Sequence, residues 1–130
     1  MSSKHTPGPW HVTQYHPFCS PINGKGDRVT FAIRDSESDV AYVHTMLKGL
    51  RTDEANARLI AAAPQLLEAL SKAVRETEQF LFDAWLVRVC PSGDVESVQR
   101  QWLASSDHRE FVDEWREQID AIAKATGGAQ

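Results

Sequence analysis

Four of the side chains that can ligate a metal or activate a nucleophile fall together in the predicted strand region: His11, His16, Cys19 and His44. His16 and Cys19 stand in an H-x-x-C spacing, and tetrahedral zinc takes such ligands. A structural zinc site normally brings a second closely spaced pair, and the sequence has none. His11 and His44 fall on separate predicted strands. The four are therefore metal candidates only, and surface or half-buried histidines are the expectation, with no metal and no cofactor. Cys19 and His16 can also be written as a thiol and its base, with Asp35, Glu37 or Asp39 as orienting groups. That chemistry needs a stabilised thiolate and a base within hydrogen-bond reach. Two residues three apart on a proline-flanked loop do not supply it, so no catalytic residue is assigned and the protein is not expected to be an enzyme. The glycine-bearing "INGKGD" at 22–27 precedes a strand, and no Lys-Ser or Lys-Thr follows it. It reads as a hairpin turn and not as a phosphate loop. The acidic residues of 107–120 lack a Glu-x-x-His pair and read as a solvated face.

The remaining candidates are aromatic. Phe80, Phe82, Trp85, Trp102, Phe111 and Trp115 all lie in the second half of the chain. Large aromatics fill cores, and they also anchor protein interfaces. These six are the candidates for contact with a partner or with a second copy of the chain.

The elements that position these residues divide near Leu50. Before it lie four of the six prolines and four of the five histidines, and after it the chain is rich in Ala, Leu, Glu, Gln and Arg. "WHVTQYH" alternates as a half-buried strand, with Trp10 and Val12 on one face and His11, Thr13 and Tyr15 on the other. "RVTFAIRD" at 28–35 is the clearest strand, "SESD" is a turn, and "VAYVHT" at 40–45 is the next strand. These runs predict a small antiparallel sheet of three to four strands over about 10–45, and such a sheet needs cover on its apolar face. Helices over about 52–125 supply the cover. The expected fold is therefore α+β, a single domain over 1–130 with a β-rich part at 1–50 and a helical part at 51–130.

Thr52 or Asp53 is expected to cap the first helix. Ala55, Leu59, Ala62 and Ala63 share one side of it. Pro64 lacks an N–H and is expected to divide the stretch into two helices or to kink one. Leu66, Leu67, Leu70, Val74 and Leu81 follow at helical steps. From Phe80 to Val89 apolar residues occur all round the helix, as in a core helix or at a contact. "CPSGD" at 90–94 stops it, a short helix carries Val98 and Trp102, and Asp107 with Glu110 resembles a capping box for a last helix bearing Phe111, Trp115, Ile119 and Ile122.

The formal charge of −4 and a pI near 5.7 argue against nucleic-acid binding by overall basicity. The N-terminus lacks the layout of a signal peptide, and no apolar run approaches the ~20 residues that span a bilayer. The expectation is a soluble, cytoplasmic protein, not membrane-bound, with Cys19 and Cys90 reduced. The two apolar stripes, 80–90 and 111–122, exceed what a small sheet needs and predict a homodimer.

"HTPGPW" at 5–10 and "DEANARLIAAAPQLLEAL" at 53–70 resemble a widespread family of small phage and prophage proteins. Its members open with T-P-G-P-W and carry a signature close to A-N-A-R-L-I-A-A-A-P-x-L-L-x-A-L. The resemblance covers roughly the first 75 residues and carries over no catalytic residue or cofactor. It implies a non-enzymatic phage accessory protein that binds a bacterial host protein, of which an inhibitor of a host defence system is one form, acting in the host cytoplasm. The alternative is a metal-stabilised or nucleic-acid-associated regulatory module.

Overall fold

A computed structural model describes residues 5–15, 30–44 and 50–128. The order of elements is β1 (His11–Tyr15), β2 (Thr30–Arg34), β3 (Asp39–His44), α1 (Leu50–Val89), α2 (Val95–Leu103), α3 (Ser106–Glu114) and α4 (Arg116–Ala125). The fold is α+β: among the described residues, a three-stranded antiparallel sheet followed by a helical C-terminal part. The chain divides into two compact units, Met1–Leu66 and Leu67–Gln130.

In the first unit the strands form a meander, β1-β2-β3. Val12 pairs with Ile33 and Ile33 with Ala41, while Gln14 pairs with Phe31 and Phe31 with Val43. Partners in register share a face, so this face holds Val12 of β1 with the apolar alternation of β2 and β3. Phe31 and Ile33 are buried on it, Ile33 completely. On the other face Ala32 is also buried, between its register partners Thr13 and Tyr42. Val40 is the extra residue where the pairing shifts between Ile33 and Arg34. Arg34 and Asp39 form a salt bridge of 2.8 Å beside that bulge, and Tyr42 donates its hydroxyl to Asp39.

Asp35 shapes the turn between β2 and β3. Its Oδ1 accepts from the backbone N–H of Glu37 at 2.8 Å and of Ser38 at 2.7 Å. Those two bonds hold its carboxyl below the ordinary aspartate value, with smaller help from the Ser38 hydroxyl and the Arg34 charge. A depressed folded value means that the stabilisation is complete above the unfolded value of about 3.9, and that it is lost as pH falls through the lower folded value. Acid titration of the turn amides between about pH 5 and 2 should show the β2–β3 turn loosening. Asp35→Asn should flatten that response.

α1 begins at Leu50, ahead of both expected caps, so Thr52 and Asp53 lie inside it. Pro64 also lies inside it and neither ends the helix nor starts a new one. A proline removes one i→i−4 bond and crowds the preceding turn, at about 3 kcal/mol in a helix interior. Helix formers on both sides, Ala61 to Ala63 and Gln65 to Leu67, carry the helix through this single interruption. The ring also has a packing place. A Cβ built on Gly8 would stand 2.8 Å from Pro64 Cβ and 3.3 Å from its Cγ. The "TPGPW" leader thus meets the alanine-rich helix at these two residues, and only a hydrogen at position 8 fits. Trp10 Nε1 donates to Pro7 O at 3.2 Å and closes the leader on itself. Gly8→Ala should destabilise the first unit by about 1–3 kcal/mol through overpacking, read as a lower urea midpoint.

The buried stripe of α1 in this unit is Ala57 and Ala61, with Pro64 half-buried on the same face. The expected stripe was another one: Ala55, Leu59 and Ala63 are exposed and Ala62 is half-buried. Alanine occurs on every side of this stretch, so periodicity had no contrast to read.

In the second unit, the rest of α1 is followed by three short helices. Cys90, with φ of 48°, takes the left-handed position that closes α1, and its N–H donates to Leu86 O at 3.0 Å. Gly93 has φ of 114°, and an added Cβ would stand 2.8 Å from Ser97 Oγ, so the turn needs glycine there. Asp94 caps α2 by accepting from Ser97 N at 2.8 Å. Ser105, and not Asp107, caps α3: its hydroxyl accepts from His108 N at 3.2 Å. The expected single last helix is two, because the chain departs from helical geometry at Trp115, with φ of −100° and ψ of 17°. Gly127, at φ of 69°, ends α4.

Candidate functional site

The second unit is built on an aromatic cluster. Trp102 of α2 lies with its ring centre 5.5 Å from Phe82 and 5.6 Å from Trp85, both on α1. On its other side is His108 of α3, at 5.4 Å. The series continues from His108 to Phe111 and from Phe111 to Trp115, at 6.3 and 6.4 Å. These edge-on and tilted arrangements are the ones that aromatic quadrupoles favour. Short-range spacing produces them. Trp85 stands three residues from Phe82, and the Ser105 cap places residues 108, 111 and 115 along one side of the chain.

The six aromatic contact candidates therefore separate by position. Trp85, Trp102 and Phe111 are buried in the unit, Phe82 and Trp115 are half-buried, and Phe80 is 72% exposed. His108 belongs with the cluster, between Trp102 and Phe111. It is half-buried and stands 3.8 Å from Glu78. The Ser-x-x-His capping spacing at 105–108 was the signal for it.

Beside the cluster, α1 and α2 enclose a cleft of about 700 Å³. Its apolar lining is Phe82, Leu86, Val98 and Trp102 with Val95 and Leu103, and Arg75, Glu78, Gln79 and Asp94 add polar groups. Val95 and Leu103 are large apolar side chains left in water, at 82% and 54% exposure. A cleft of this size with apolar walls and a few polar groups is the usual form of a binding site. Val95, Val98 and Leu103 carried no mark in the sequence beyond their helical spacing.

Charge is unevenly shared between the units. Residues 67–130 hold twelve acidic and seven basic side chains, whereas 1–66 hold six and seven. The helical unit therefore carries a net charge of −5 and the first unit +1. Near the cleft, Asp94 caps α2, and Glu96 follows in the first turn.

Of the four metal candidates, the described residues hold two, His11 and His44, and these stand far apart. His11 pairs with Arg34 at one end of the sheet, and His44 pairs with Thr30 at the other. Their Cα atoms are four residue steps and two strands apart, roughly 16 Å. His16 and Cys19 lie outside the described residues, as does the predicted 22–27 turn. Among the described residues no three His, Cys, Asp or Glu side chains are placed to share a metal ion, and no helix is long and apolar enough to cross a membrane.

Residues 1–129 match the model of the family described as Salmonella phage P22 protein Y8K6. The match extends through the helical unit, well past the first 75 residues that carried the sequence resemblance. No curated protein and no solved structure matches the chain.

Proposed function

The chain belongs to the Salmonella phage P22 protein Y8K6 family, a phage protein family, and on that premise we propose that it acts in the infected bacterium by binding a host protein through the α1–α2 cleft. The cleft carries this reading. Exposed Val95 and Leu103 flank an apolar floor that ends on the buried Trp102. That arrangement suits the apolar face of an amphipathic helix, whose anchor side chains enter a groove. The acidic surplus of residues 67–130 selects a partner segment with lysine or arginine on its polar face, and it speeds the encounter. A component of a host defence complex is the narrower form of the proposal.

The test uses the full chain as bait, identification of the captured host protein, and titration of that purified protein against variants. Leu103→Lys removes an apolar contact and sets a positive charge against a basic partner. Leu103 is the last residue of α2, where a cation suits the helix dipole, so the variant keeps its fold. The expected result is a loss of affinity of at least about tenfold, or 1.4 kcal/mol. A captured protein that binds Leu103→Lys as tightly as the wild type would remove the cleft from the account.

A further inference from the structure

In the second unit, Leu70, Ala73, Thr77, Phe80, Ala84 and Val87 of α1 follow at alternating steps of three and four. This is the a/d spacing of a heptad, which keeps one seam facing a second helix. The seam is open to water. Phe80 is 72% and Val87 81% exposed, Ala73 and Ala84 are exposed, and Leu70 and Thr77 are half-buried. Thr77 does not interrupt it as a polar group, since its hydroxyl is already satisfied by Ala73 O at 2.8 Å. The core side of α1 is elsewhere: Trp85 stands five residues from Phe80, about 140° around the helix. In the first unit the same helix repeats the spacing with Leu59, Ala63 and Leu66, all exposed.

We propose that this seam is covered by the same seam of a second copy of the chain, in a parallel two-fold pair. A 3.5-residue repeat is matched along its length only by a helix with that repeat, and a second copy brings it at every position. Charge selects the direction. Asp83 and Arg88 are exposed and flank the seam on opposite sides, five residues apart, which is the g-to-e′ step across a parallel pair. Arg88 binds Asp107 of its own copy, and its guanidinium keeps donors for the Asp83 carboxylate of the other. An antiparallel pair that sets Leu70 against Val87 would instead bring acidic Glu76 and Asp83 together. Ala73 and Ala84 let the two backbones approach closely. The cleft uses other positions of α1, Phe82 and Leu86 among them, so pairing leaves it open.

Light scattering and sedimentation of the full chain over about 1–100 µM test the proposal, a range in which a micromolar pair changes from monomer to dimer. The expected result is a dimer for the wild type and a monomer for Phe80→Glu, with the helical circular dichroism and melting temperature unchanged because Phe80 is exposed. Val87→Glu should behave in the same way. With Cys19 and Cys90 replaced by serine, Ala84→Cys should oxidise to an 84–84 disulfide. A wild-type monomer across the range, a dimer that survives both glutamates, or no 84–84 disulfide would overturn it.

Discussion

Replacing Trp102 with alanine should lower the stability of the helical unit by about 3–5 kcal/mol, the usual loss for a buried tryptophan. Trp102 is 3% exposed and makes ring contacts with Phe82, Trp85 and His108. These three come from α1 and α3, so the indole on α2 is the group they share. The surrounding helices are short, at nine, nine and ten residues. Helices of that length are not stable alone and depend on packing of their apolar faces. Truncation should therefore leave α2 and α3 without a support that local capping by Asp94 and Ser105 can replace. Against a typical total of about 5–15 kcal/mol, such a loss populates the unfolded unit appreciably. Urea unfolding followed by helical circular dichroism reads it. Leu103→Ala, one residue along but exposed, should shift the same curve by no more than about 0.5 kcal/mol.

The second large effect is expected in the sheet. Ile33→Ala should cost about 2–5 kcal/mol, and Ile33→Val about 0.5–1.5 kcal/mol. Ile33 is on the central strand, is fully buried, and stands between Val12 and Ala41 in the register. Its neighbours on that face are held by two ladders of backbone hydrogen bonds and cannot collapse freely into the space it leaves. A graded pair of losses, small for one methyl and large for the whole side chain, is the signature of a cavity rather than of a lost strand preference. Hydrogen exchange of the β2 amides measures it directly, since protection there should fall with each truncation.

The strands were legible because alternation and burial agree: β2 lies inside the predicted run 28–35, whose first two positions are outside the described residues, and β3 starts one residue before the predicted run 40–45. The turn between β2 and β3 followed from its polar residues, and Asp35 accounts for it chemically. α1 was harder for two physical reasons. Proline is a strong local breaker, yet one lost hydrogen bond is small beside the contacts of a 40-residue helix, and the ring's contact with Gly8 links residues 56 positions apart. Alanine carries little information about facing, so the buried pair, Ala57 and Ala61, could not be told from Ala55 and Ala63. The break at Trp115 left no proline or glycine to mark it.

The site was less legible than the fold. Aromatic type alone could not separate Trp85 and Trp102, which are buried and build the unit, from Phe80, which is exposed. The cleft is assembled from aliphatic residues on two helices, and its position depends on how α2 returns after the Cys90–Asp94 turn. Gly93 makes that return possible through a backbone angle that the sequence marks only as a glycine. Histidine chemistry was visible as well, but not the register, which places His11 and His44 at opposite ends of the sheet.

Hydrogen exchange of the full chain, alone and saturated with the captured host protein, tests the central claim most directly. Added protection is expected in α2 and across residues 75–86 of α1, several of which line the cleft. Added protection confined to residues 5–66, with α2 unchanged, would contradict it.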